Sequence, residues 1–299
     1  MVKALLTLGV WALAQALGQA GWAEPSLANP SQEPTQLEFP LADQGVEATP
    51  FFASDLEPTL PTRLPGLNLP ERAGPGEILA AFLGLPFRVD GVISDQGTWS
   101  TWADPRRTFT SPGLNCSGLV ASAGRYLLGV NLALADLKKD RQGDSGPESP
   151  LGQDWDFGLD VALNLAEGHF LRYLPEPLTP ALSLNQAKKP VGWGLDIHSP
   201  EFLGLLGELN PERWYIFVIS KPDRRFKGGL SYYHLGLGLV GPNGEIWLHH
   251  VTAKAGSHRL NLANKTALAT FRRYFPPPRN GGERRILFLE LAWPTRNLP

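Results

Sequence analysis

Ile78, Leu79, Phe82 and Leu83 recur at i, i+1, i+4 and i+5, one apolar face of a short helix that Pro75 opens and Gly84 closes. The next stretch, Leu85 to Val89, reads as extended, and the chain from there to Pro112 reads as loop because of its Asp, Gly and Ser-Pro-Gly signals. A second helix starts at Cys116, with Leu119, Val120, Ala123 and Leu127 on its apolar face and Asn115 as a good N-cap. From 131 to 209 no period is recognisable, and this segment is expected to be a long insertion.

Beyond it the period changes from helical to alternating. Strands are predicted at Trp214 to Ser220, Tyr232 to Val240, Glu245 to Thr252, His258 to Leu262 and Arg285 to Trp293, each rich in β-branched or aromatic residues. Gly241-Pro242-Asn243-Gly244 joins the second and third as a hairpin. A helix is predicted over Asn264 to Tyr274 with Leu268, Phe271 and Phe275 inward. Helices first and a meandering sheet afterwards predict an α+β domain with the Cys116 helix packed on one face of an antiparallel β-sheet.

The first 72 residues read differently. One positive charge at Lys3, an apolar run from Ala4 to Leu17 and small residues up to Ala23 have the layout of a secretory signal peptide over 1–23, cleaved after Ala23 or alternatively Ala20. That run is short of the about 20 residues a bilayer span needs. Residues 24–72, rich in Pro with Ser, Gln and Glu, are expected to be a disordered linker, leaving 73–299 as one domain. The expected location is the periplasm or the exterior, with no membrane span. A net charge of −2 with interspersed signs argues against nucleic acid as a partner.

A single cysteine in an exported chain makes no intrachain disulfide, so its thiol is inert, paired with another chain, or chemically employed. At the first turn of a helix the partial positive charge of the N-terminus favours thiolate, which predicts a lowered pKa for Cys116. The nucleophile needs a base, and of the six histidines His234 is best placed. Alternation puts Leu235, Leu237 and Leu239 on one face of its strand and His234, Gly236 and Gly238 on the other, where the glycines leave room for close approach. His249 and His250 must point to opposite faces, so only one can orient His234, and His250 is preferred with His249 as fallback. His169, His198 and His258 are expected at the surface.

Leu83-Gly84-Leu85-Pro86-Phe87-Arg88, Asn115-Cys116-Ser117-Gly118-Leu119-Val120 and His234-Leu235-Gly236-Leu237, in that order, resemble the NlpC-type cell-wall cysteine peptidases. That resemblance implies a papain-like fold and hydrolysis of amide bonds in the stem peptides of peptidoglycan. It makes Cys116 the nucleophile, His234 the general base and His250 the orienting residue. Phe87, Arg88, Asn115, Ser117 and Tyr233 become the substrate-binding residues. No cofactor or metal is implied, the partner is peptidoglycan or its muropeptides, and a monomer is expected. Phe87 stands where the family usually carries Tyr, so a site hydroxyl would have to come from Tyr232 or Tyr233, and Asn115 replaces the usual Asp.

Three other readings compete. A non-catalytic envelope protein of the same fold would stack wall sugars on Trp99, Trp102, Trp155 or Trp193. A glycosidase would use carboxylates among Asp154, Asp156 and Asp160. A zinc site would draw on His249, His250 and His258.

Overall fold

The computed structural model describes residues 60–61, 63–69, 73–141, 143, 154–175, 192–226, 229–279 and 281–294. The expected signal peptide and most of the expected linker lie outside the described residues. Among the described residues no helix is long and apolar enough to cross a membrane.

The fold is α+β, in three layers. Among the described residues six helices and eleven strands run in the order β1 (Arg63–Leu64), β2 (Leu67–Asn68), α1 (Pro75–Ala81), β3 (Gly91–Ile93), β4 (Trp99–Thr101), α2 (Cys116–Leu128), α3 (Leu134–Leu137), α4 (Phe157–Ala166), β5 (Phe170–Leu174), β6 (Leu195–Asp196), α5 (Glu201–Gly207), β7 (Trp214–Pro222), β8 (Leu230–Val240), β9 (Ile246–Thr252), β10 (Gly256–Asn261), α6 (Lys265–Tyr274) and β11 (Arg285–Leu291). The main sheet is antiparallel in the order β10-β9-β8-β7-β11-β5, with β6 also on β11. Helices α2 and α4 cover the face formed by Ile216, Val218, Leu235 and Leu237. The opposite face, with Tyr215, Phe217, Ile219 and Leu248, packs on Phe202 and Leu205 of α5 and Leu268 and Phe271 of α6. That is why central β7 is apolar at every position from Trp214 to Ile219: helices cover it on both sides.

Three sequence expectations need correction. The described residues of the expected insertion are part of the architecture: α4 is the second helix on the α2 face, and β5 lengthens the sheet through β11, while 142, 144–153 and 176–191 lie outside the described residues. The apolar residues of α4 and β5 contact partners far away in sequence, so no local period reveals them. The expected loop before Cys116 contains the β3–β4 hairpin, whose Val92 and Ile93 are buried on the strand that packs on α2 and whose Trp99 is buried in the same core. Strands of three residues buried throughout have too little alternation to be read. The expected linker ends earlier than residue 72, because Leu67 and Leu69 join the core and Tyr126 donates to the carbonyl of Pro61 at 2.5 Å.

Helix α2 is buried along almost its whole length, and polar contacts lock it to β3. Ser122 Oγ accepts from the Ile93 amide at 3.0 Å, and the buried Arg125 guanidinium donates to the Ile93 carbonyl at 2.7 Å. Burial lowers the Arg125 pKa to about 10, so it remains charged at neutral pH. At the opposite end a Cβ on Gly118 would collide with the carbonyl oxygen of Gly91, so only glycine permits this approach.

Candidate active site

The N-terminus of α2 is built as the sequence predicts. Asn115 Oδ1 accepts from the Gly118 amide at 2.7 Å and from Ser117 Oγ at 3.0 Å. The Asn115 amide donates to Gly91, and the Leu114 amide donates to Pro86, which ties the loop carrying Phe87 to the helix start. The other end of that loop is held by β10, through Gly84 N–H to the Ser257 carbonyl and Ser257 N–H to the Leu85 carbonyl.

Cys116 meets the sheet where β9 leaves β8. The β8–β9 pairing runs only from Gly236 to Val240, so β9 leaves a gap beside the part of β8 ahead of Gly236. Cys116 occupies the gap, and its thiol donates to the carbonyl of Tyr233 at 3.9 Å. Burial pushes the thiol pKa up, while the backbone N–H groups of Leu235, Ser117 and Cys116 pull it down. The net direction is upward, opposite to the expectation from the helix terminus alone, because desolvation of the thiolate outweighs the amide dipoles.

The β7–β8 register shifts between Ile219, opposite His234, and Ser220, opposite Tyr232, which leaves Tyr233 as an extra residue. As a result Tyr232 packs with the α2 layer, whereas Tyr233 packs against the α6 side, where the His234 ring meets Phe275. His234 Nε2 and His250 Nδ1 hydrogen-bond at 3.0 Å. Burial lowers the His234 pKa to about 3, with the neighbouring His258 adding to the effect, and moves His250 well below the ordinary histidine range. Both rings are therefore neutral at physiological pH.

The expected residues are only partly united. Phe87, Asn115, Cys116, Ser117, Tyr233 and His234 line one cavity of about 510 Å³. His250 reaches it through His234. Arg88 does not line it: the guanidinium lies 3.9 Å from the Phe109 ring centre and donates to Ser111 Oγ at 2.8 Å, so it clamps the loop. His249 faces the α2 side, opposite Leu237 and Arg259, and cannot orient His234. Burial lowers its pKa to about 3, helped by Arg259. The space expected beside Gly236 is filled by the Phe217 ring. Both candidate tyrosines line the cavity, and each hydroxyl oxygen is engaged as an acceptor: Tyr232 accepts from the Trp193 amide at 2.9 Å and Tyr233 from Arg284 at 2.5 Å.

Several residues of the site were given other roles by the sequence, or none. Phe275 lines the cavity with its ring 4.7 Å from that of His234, and its carbonyl accepts from His198 Nε2 at 2.8 Å. His258, expected at the surface, lies 4.2 Å from His250 between ring centres. Phe275 was legible as an inward helical residue, but its partner is fixed by tertiary packing. Asp90 and Asp154 also line the cavity, as does Arg225, which pairs with Asp223 at 2.7 Å.

The competing readings fare differently. Trp99, Trp102, Trp155 and Trp193 are all buried, so none offers a face to a sugar. Of the three aspartates only Asp154 lines the cavity; Asp156 and Asp160 are buried, and desolvation raises Asp160 to about 8. Among the described residues no group of three His, Cys, Asp or Glu is arranged to hold a metal ion, and His249 points away from His250 and His258. No protein-family model, curated protein or solved structure matches the chain.

Proposed function

We propose that this protein is a cysteine hydrolase of the papain-like, NlpC-type class that cuts amide bonds in peptidoglycan stem peptides, acting as a monomer outside the inner membrane. The observation that supports it most is a helix-start thiol and a buried imidazole lining one cavity, with the second ring nitrogen of that imidazole already held by His250. The cavity walls are apolar at Phe87, Phe157, Phe226 and Phe275 and charged at Asp90, Asp154 and Arg225, a mixture suited to a short peptide bearing both charges.

The chemistry starts from a neutral pair. With Nε2 engaged by His250, Nδ1 of His234 is the nitrogen that takes the thiol proton as sulfur attacks the amide carbon. The resulting oxyanion is stabilised by the backbone N–H groups at the start of α2. Collapse breaks the C–N bond, His234 returns the proton to the leaving nitrogen, and a thioester remains on Cys116. Water, deprotonated by His234, then attacks the thioester and releases the acid and the free thiol. This route calls on no cofactor.

Digestion of purified peptidoglycan by the wild type should release new amino termini, and Cys116→Ala should release none. One observation favours a silent, wall-binding protein of the same fold: the resting thiol bonds to a carbonyl and has an elevated pKa. Identical digests from the two proteins would establish that reading instead.

A further inference from the structure

The function proposed above uses two histidines, yet three are stacked. The His250 and His258 ring centres are 4.2 Å apart, closer than the 5.2 Å between the hydrogen-bonded rings of His234 and His250. Tyr274 packs against both, at 5.7 Å from His250 and 5.4 Å from His258. Among the described residues two buried ring nitrogens in this stack have no hydrogen-bond partner, Nε2 of His250 and Nε2 of His258.

Tautomers turn these two orphans into a matched pair. His258 Nδ1 lies 3.0 Å from the carbonyl of Gly256. A carbonyl only accepts, so Nδ1 carries the hydrogen and Nε2 of a neutral His258 is an acceptor. At the other end, His234 can act as base through Nδ1 only if its Nε2 carries the hydrogen and donates to His250 Nδ1. His250 is then protonated at Nε2, a buried donor needing an acceptor. The His258 ring beside it carries one.

We propose that His258 is a positioning residue: its Nε2 accepts from His250 Nε2 through one water, completing a chain from the Gly256 carbonyl through His258 and His250 to His234 that holds His234 in the Nε2–H tautomer and keeps Nδ1 free to take the Cys116 proton. In the tilted stack the two Nε2 atoms do not bond directly, so the last link runs through one bridging water while His258 Nδ1 stays on the Gly256 carbonyl. Without His258 the buried N–H of His250 lacks an acceptor, and reversing both upstream rings relieves it by placing the hydrogen on His234 Nδ1, the wrong nitrogen for a base. This rests on His234 being the base of the hydrolase proposed above.

The test is nitrogen NMR of the full-length protein, with ¹⁵N-labelled histidine, at neutral pH. In the wild type His234 and His250 should each carry the hydrogen on Nε2 and His258 on Nδ1. His258→Phe, which keeps a ring but no acceptor, should convert His234 to a mixed or reversed tautomer. His258→Gln, whose side-chain oxygen falls near the Nε2 position, should restore the wild-type pattern. In peptidoglycan digestion the Phe variant should lose about tenfold or more in kcat with KM little changed, and the Gln variant should recover most of it. Wild-type His234 bearing its hydrogen on Nδ1, or an unchanged His234 tautomer in a folded Phe variant, would overturn the proposal. Should the Phe variant fail to fold, the three wild-type assignments decide. A wild type with the expected tautomers but no peptidoglycan hydrolysis would sink the peptidase reading and leave the chain of rings intact.

Discussion

His234 Nε2 and His250 Nδ1 meet at 3.0 Å between neighbouring strands, while His249, one residue away, turns to the opposite face of the sheet. This predicts an asymmetric pair of variants. His250→Ala should lower kcat by about 10²-fold, within the range for losing a well-oriented base. His249→Leu should leave kcat within about twofold, and because its buried Nδ1 has no partner among the described residues, stability should hold or rise. Steady-state kinetics with paired thermal melts checks both.

Cys116 and His234 rest as neutral groups. The rate of alkylation by iodoacetamide should therefore climb steadily from pH 7 to pH 9, following a thiol whose pKa burial has raised. A stable thiolate–imidazolium pair would instead give a plateau already reached below neutrality. That outcome would overturn the neutral resting state.

Burial of neutral histidines also sets acid sensitivity. In the unfolded chain these rings take up protons near their ordinary value of about 6.5. In the folded protein His234 and His249 do so only near 3, and His250 is also well below its usual range. Below that ordinary value the unfolded state binds more protons, so stability is complete above it and falls as pH drops toward 4. Denaturant midpoints across pH 4–8 should show the loss, and it should be smaller in His249→Leu.

Asp160 contributes with the opposite slope. Its folded pKa of about 8 lies above the unfolded value, so the folded state keeps a proton that the unfolded state releases. Stability falls as pH rises from the ordinary carboxyl value to about 8. Asp160→Asn should be more stable than wild type at pH 8 by on the order of 5 kcal/mol, about 1.4 kcal/mol for each pH unit between the ordinary carboxyl value and about 8, and the gain should vanish near pH 4. A pH-independent difference would mean that Asp160 is ionised in the fold.

Gly118 lets the helix start touch the Gly91 backbone. Gly118→Ala should cost about 3 kcal/mol, a fall in Tm of roughly 6–12 °C, and should displace Cys116 from the β8 edge. Melting curves and alkylation rates would register both effects.

Much of the secondary structure was legible because its cause is local. Leu119, Val120, Ala123 and Leu127 mark the α2 face, and Asn115 caps it as its side chain and position indicate. The five C-terminal strands follow from alternation and turn chemistry. Strands β3 and β4 and the elements from 134 to 207 were not legible, since their burial depends on partners remote in sequence.

By itself the sequence determined a capped helix with a lone thiol at its start, a following strand opened by His234, and a pair of histidines of which one alone could share its face. Only tertiary structure decided the rest. The bulge at Tyr233 and the strand register made His250 the partner, placed His258 beside it and brought Phe275 over His234. Depth of burial then reversed the expected direction of the Cys116 pKa. Periodicity encodes which way a side chain points along its own element, whereas register, bulges and desolvation arise where elements meet.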